Sequence, residues 1–85
     1  MELSLEEFNQ LKIEDKVRIT FEHGSELMHR TYLYYTVKLY KLGNLFVELW
    51  YRPHHNRIDK VEAVSLDDVL HLYEKEIDIN ELFSS

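Results

Sequence analysis

Residues 31–52, TYLYYTVKLYKLGNLFVELWYR, hold two runs of β-branched and aromatic residues separated by Leu42-Gly43-Asn44. Such runs broken by a Gly-Asn pair form a β-hairpin, because Val, Tyr, Phe and Trp suit a pleated surface and Gly-Asn accepts the backbone angles of a tight reversal. Two registers compete. A three-residue loop over residues 42–44 opposes Leu39 to Val47, Val37 to Leu49 and Tyr35 to Tyr51, which gathers the aliphatic residues on one face and sets Lys38 across from Glu48. A two-residue Gly43-Asn44 loop opposes Tyr40 to Val47 and Lys38 to Leu49, mixing the faces. A one-residue slip inverts every side chain. Three aligned apolar pairs and an ion pair, each contributing ~0.2–1 kcal/mol, favour the longer loop.

Working outward, residues 16–23 alternate, with Val17, Ile19 and Phe21 on one side and Lys16, Arg18, Thr20 and Glu22 on the other. Period-2 alternation predicts a half-buried first strand. Residues 24–30 then form a polar connection, and an antiparallel return sets Phe21 near Leu33, Ile19 near Tyr35 and Val17 near Val37. Beyond the hairpin, Pro53-His54-His55-Asn56 predicts a turn, since proline presets φ and asparagine tolerates the left-handed region. Residues 57–64 predict a fourth strand, with Leu49 opposite Val61, Val47 opposite Ala63 and Glu48 beside Glu62.

Both ends read as helix. Residues 3–11 open with Ser4 as N-cap, Glu7 completing a capping box and Leu3 placed to staple Phe8. The same device recurs at Val64-Ser65-Leu66-Asp67-Asp68-Val69, where Leu66, Val69, Leu70 and Tyr73 follow at helical spacing. Residues 78–83 predict a last short helical turn. The expectation is one α+β domain over residues 1–85: a four-stranded antiparallel meander flanked by an N-terminal and a C-terminal helix. Its core face would hold Val17, Ile19, Phe21, Leu33, Tyr35, Val37, Leu39, Val47, Leu49, Tyr51, Val61 and Ala63, with the C-terminal helix laid on it. Periodicity leaves open whether the N-terminal helix joins that face or covers the other.

The hairpin LYKLGNLFVELWY, the Pro-to-Asn turn, RIDKVEAV and the Leu-rich C-terminal helix together resemble small uncharacterised bacterial proteins with a Gly-Asn/Asp-Phe-Phe-Val-Glu-Val-Trp-Tyr type of hairpin. The resemblance spans residues 33–83. It implies this fold and carries no activity with it.

Composition narrows the function. The 85 residues are 45% hydrophobic with two Gly and one Pro, which suits a folded globule. Absence of cysteine excludes a disulfide scaffold and a thiolate metal site, and with no signal peptide and no long apolar run the expectation is a cytoplasmic protein off the membrane. The net charge of -6 is uneven: residues 12–60 hold nine of the ten Lys and Arg but six of the sixteen Asp and Glu, leaving a basic middle between acidic flanks. An overall acidic chain opposes general phosphate binding.

Residue by residue, catalytic chemistry finds no footing. Ser4 and Ser65 are accounted for as caps, the two glycines are isolated, and the acid pairs fall in helix starts and connections. Of the five histidines only His54 and His55 are adjacent, and neighbours on an extended chain point apart, so neither a metal nor a cofactor is expected. The second sheet face is the informative one: Arg18, Thr20, Tyr32, Tyr34, Thr36, Lys38, Tyr40, Phe46, Glu48, Trp50, Arg52, Ile58 and Lys60. Aromatic residues fringed by Lys and Arg are enriched in protein interfaces and also stack single-stranded bases. The candidates are therefore Tyr34, Tyr40, Phe46, Trp50, Lys38 and Arg52. The leading reading is a non-catalytic interaction or assembly module, a homodimer or a binder of another protein. The alternative is single-stranded nucleic acid or a small ligand on the same face.

Overall fold

The computed structural model describes residues 3–74. They form α1 (Leu5–Asn9), α2 (Ile13–His23), β1 (Ser25–Tyr32), β2 (Tyr35–Leu42), β3 (Leu45–Arg52), a 3-10 turn (Pro53–His55), β4 (Arg57–Val64) and α3 (Leu66–Glu74). The strands make one antiparallel sheet in the order β1-β2-β3-β4. The expected α+β meander with helices at both ends is the fold. The last short helical turn expected at residues 78–83 lies outside the described residues.

The start of α1 obeys local rules, whereas α2 begins after Lys12 with no side-chain cap. In α1 the Glu7 backbone N–H donates to Ser4 Oγ at 3.1 Å and the Ser4 N–H donates back to Glu7 Oε1 at 3.1 Å, the capping box read in the sequence. That capping holds the Glu7 carboxyl below its usual range. Asn56 ends the 3-10 turn at φ 48°, the left-handed role expected of it.

The first strand is a correction. Residues 16–23 lie in α2, and β1 is drawn from the stretch read as a polar connection, so the expected pairings of Val17, Ile19 and Phe21 with residues 33–37 do not exist. The sequence of α2 carries two periods at once. Val17, Ile19 and Phe21 alternate, yet Ile13, Val17, Thr20 and Phe21 fall at i, i+4, i+7 and i+8, a helical stripe whose ends Ile13 and Phe21 stay exposed, with Glu14 and Asp15 in the first turn to complement the helix dipole. Packing resolved the ambiguity, burying Ile19 and Thr20. Gly24 makes the exit possible: a Cβ there would sit 2.5 Å from the Thr20 carbonyl oxygen. The strand that follows is a solvent-facing edge whose burial gives it no apolar stripe to read.

The hairpin register is the second correction. β2 and β3 are joined by the two-residue Gly43-Asn44 loop, with Leu42 opposite Leu45, Tyr40 opposite Val47, Leu39 opposite Glu48 and Lys38 opposite Leu49. Gly43 takes φ 59°, a positive angle that suits the right-handed twist of the strands. The longer loop keeps one face apolar. That criterion fails because both faces are covered, and a sheet buried on both sides needs apolar residues on both. The β3–β4 register is as expected, with Leu49 opposite Val61, Val47 opposite Ala63 and Glu48 opposite Glu62.

The faces therefore differ from the expected division. Tyr40, Leu42, Val47, Leu49 and Val61 pack under Phe8 of α1 and Ile19 of α2. On the opposite face Leu39 packs under Val69 and Tyr73 of α3, with Met28, Phe46 and Val64 around it. The N-terminal helices and the C-terminal helix thus take opposite faces. Of the expected core, Phe21 and Leu33 are exposed, the latter 72%.

Candidate functional site

Register decides where the candidate residues stand. Tyr40 and Lys38 are on the face of α1 and α2, whereas Phe46 and Trp50 are on the face of α3. The six are not one patch. Tyr40 is buried, and burial first, then the neighbouring Glu26 carboxylate, pushes its hydroxyl pKa up. Phe46 packs into the α3 cluster. Lys38 makes an ion pair with Glu26 at 3.5 Å in place of the expected partner Glu48.

The α3 face is built in cross-strand rows. Arg30, Val37, Trp50 and Lys60 form one row, paired strand to strand. Trp50 is half-buried in it: the rings of Tyr32 and Tyr35 meet the indole edge-on at 5.7 and 5.3 Å, and Lys60 Nζ and the Arg30 guanidinium lie 4.9 and 5.4 Å from the indole centroid. Beneath α3, Glu48 is 2% exposed and accepts from Arg30 Nη2 at 3.3 Å and from the Tyr73 hydroxyl at 2.6 Å. Burial and, after it, the Glu48 carboxylate raise the Tyr73 pKa well above the usual tyrosine range, so this hydroxyl stays a donor. The triad ties α3, β1 and β3 together.

At the sheet end a bulge in β4 sets the local chemistry. Trp50 pairs with Lys60 but Tyr51 pairs with Ile58, leaving Asp59 as an extra residue. Asp59 accepts from Arg57 Nε at 2.6 Å and from the Tyr35 hydroxyl at 3.0 Å, and its Oδ2 is 3.0 Å from Arg52 Nη2. The Arg57 hydrogen bond, followed by Tyr35 and the Arg52 charge, holds the Asp59 carboxyl below its ordinary range. Arg52 also donates to the Tyr35 hydroxyl at 3.1 Å, and that bond leads the causes that raise its pKa further. The same bulge moves Ile58 onto the α1 and α2 side, against the expectation that it shares a face with Trp50.

What protrudes is the β1–β2 turn. Tyr32 pairs with Tyr35, so Leu33 and Tyr34 alone make the reversal, and they are 72% and 73% exposed. Leu33 has φ 53°, in the left-handed region that costs a residue with a Cβ about 1–2 kcal/mol. Tyr34, Arg52, His54 and His55 line a small cavity of about 240 Å³ beside this tip. The sequence pattern points to Tyr34 and Arg52 but places Leu33 in the core. Nothing in the sequence marks this reversal, because bulky Leu33 and Tyr34 stand where a turn favours Asn-Gly.

Among the described residues no cluster of three or more His, Asp or Glu is placed to hold a metal ion. No helix of the described residues is long and apolar enough to cross a membrane. Comparison of the chain with protein-family models, curated proteins and solved structures finds no match.

Proposed function

We propose that this protein is a non-catalytic assembly module that self-associates through the sheet end carrying Leu33 and Tyr34. The observation that carries the reading is the tip itself. A leucine held at φ 53° with 72% of its surface in water pays twice, in backbone strain and in apolar exposure. Strain that persists at an exposed site points to use. Tyrosine beside arginine is the composition of interface anchors, and here Tyr34 stands with Arg52, His54 and His55.

The two carboxylates beneath and beside the sheet are engaged in holding the fold: Glu48 by Arg30 and Tyr73, Asp59 by Arg52, Arg57 and Tyr35. That supports binding over catalysis. Nucleic-acid binding receives less support, because the indole expected to stack on bases is ringed within the protein by Tyr32, Tyr35, Arg30 and Lys60.

Light scattering after size exclusion, at two concentrations tenfold apart, tests the proposal. The expected mass is twice 10.3 kDa, falling to the monomer in Tyr34→Ser with the circular dichroism unchanged. A native chain that stays monomeric at the higher concentration refutes it.

A further inference from the structure

The two covers of the sheet are built independently. The apolar cluster under α1 and α2, centred on Phe8, Ile19, Tyr40 and Val47, and the cluster under α3, Leu39 with Val69 and Tyr73, have no buried residue in common among the described residues. Either can be opened with the other left whole. We propose that α3 is a hinged cover that swings off the sheet as a unit about Ser65 while α1, α2 and the four strands stay folded. This goes beyond self-association and does not depend on it.

Three observations carry the proposal. First, α3 is held by little. Nine residues long, it buries Val69 and Tyr73, keeps Leu66 and Leu72 partly buried and leaves Leu70 39% exposed. A helix this short has no stability of its own, so it persists only while docked. Few buried apolar side chains mark the segments that open below the free energy of global unfolding.

Second, part of what α3 covers gains from water. Arg30 and Glu48 are 6% and 2% exposed, and Tyr73 lies against both, its ring centroid 5.4 Å from the guanidinium and its hydroxyl 2.6 Å from Glu48 Oε2. Both ions stand on strands, β1 and β3, so their pair survives when α3 lifts, and the hydration that closure takes from them is returned. Arg30 Nε is buried with no hydrogen-bond partner among the described residues, an unmet donor that water reaches once Tyr73 leaves. The Tyr73 bond to Glu48 is itself exchanged for bonds to water. Third, the hinge is in place. Ser65 alone separates β4, which ends at Val64 on the sheet edge, from α3, which begins at Leu66, and it is exposed. A change of backbone angles at such an element-terminal residue is what hinge motion requires.

Native-state hydrogen exchange of the full chain, followed amide by amide by NMR in urea below the unfolding transition, tests the proposal. The amides of Leu70 to Tyr73 are expected to share one protection factor, about tenfold or more below that of the buried amides of β2 and β3, with a weaker dependence on urea. Equal protection and equal urea dependence in α3 and the two strands overturns the hinged cover. So does protection that declines residue by residue toward Glu74, which would be fraying from the end. Phe8→Ala separates the faces: β2 and β3 are expected to lose protection by about tenfold or more while α3 keeps its own, because Phe8 stays buried whether α3 is closed or open. Phe8→Leu, the milder change, serves if Phe8→Ala does not fold. A parallel loss in α3 would mean that the two covers open together, and overturns the proposal.

Discussion

The two faces of the sheet are closed by different means. Under α1 and α2 the closure is apolar: Phe8 and Ile19 press on Tyr40, Leu42, Val47, Leu49 and Val61. Under α3 a smaller apolar cluster around Leu39 adjoins a buried ion pair, Arg30 with Glu48, capped by the Tyr73 hydroxyl. Apolar contact is non-directional and tolerates small shifts, whereas a hydrogen-bonded charge pair is satisfied in one geometry only. Helix α3 is thereby placed by a specific bond in addition to its apolar contacts. The difference teaches that this sheet buries its charged pair, Arg30 with Glu48, on the α3 side, where the Tyr73 hydroxyl completes the hydrogen bonding.

The largest expected effect tests that division. Glu48→Leu leaves the Arg30 guanidinium buried without its partner and should cost about 3–5 kcal/mol in urea unfolding, because the loss of one ion leaves the other uncompensated. The double variant Arg30→Met/Glu48→Leu should recover most of it. A single variant no less stable than the double would mean that the pair is not the element holding that face.

A smaller effect of opposite sign is expected at the tip. Leu33→Gly removes the penalty of a Cβ at φ 53° and should raise the unfolding free energy measured in urea by about 1 kcal/mol after allowance for the more flexible unfolded chain, while weakening self-association. Stability falling with association intact would make Leu33 an ordinary structural residue and erase the contrast between the closed faces and the working end.

The smallest effect appears only in acid. The Asp59 carboxyl titrates below its ordinary 3.8 in the folded chain. Its stabilisation is therefore complete above that value and is lost as the pH falls through the lower folded one. In Asp59→Asn the stability gap from the native protein should be widest near neutrality and close below about pH 4. Parallel stability curves over that range would show that Asp59 is not held by Arg57, Arg52 and Tyr35 in solution.

Much of the fold was legible because it is written in local terms. The Ser4 and Glu7 box, the Pro53–Asn56 reversal, strand β4 and the start of α3 each follow from short-range backbone chemistry. The candidate site was legible only in part. Tyr34 and Arg52 do stand together at the sheet end, but Tyr40, Phe46, Trp50 and Lys38 were assigned to a common face by a register that the structure does not have. Leu33 belongs to the core only if residues 16–23 are a strand opposite it; with those residues helical it sits in the β1–β2 turn.

By itself, then, the sequence determined the element types where caps, turns and strand composition agree, and it determined the β3–β4 pairing, where aligned aliphatic residues leave one consistent register. Only the tertiary structure decided that residues 13–23 coil rather than extend, since their apolar residues satisfy both periods and packing on the sheet selects one. It alone decided the β2–β3 register, because the preference for one apolar face holds only when one face is covered. Covering both faces removed that preference and let the tight Gly43-Asn44 turn set the alignment.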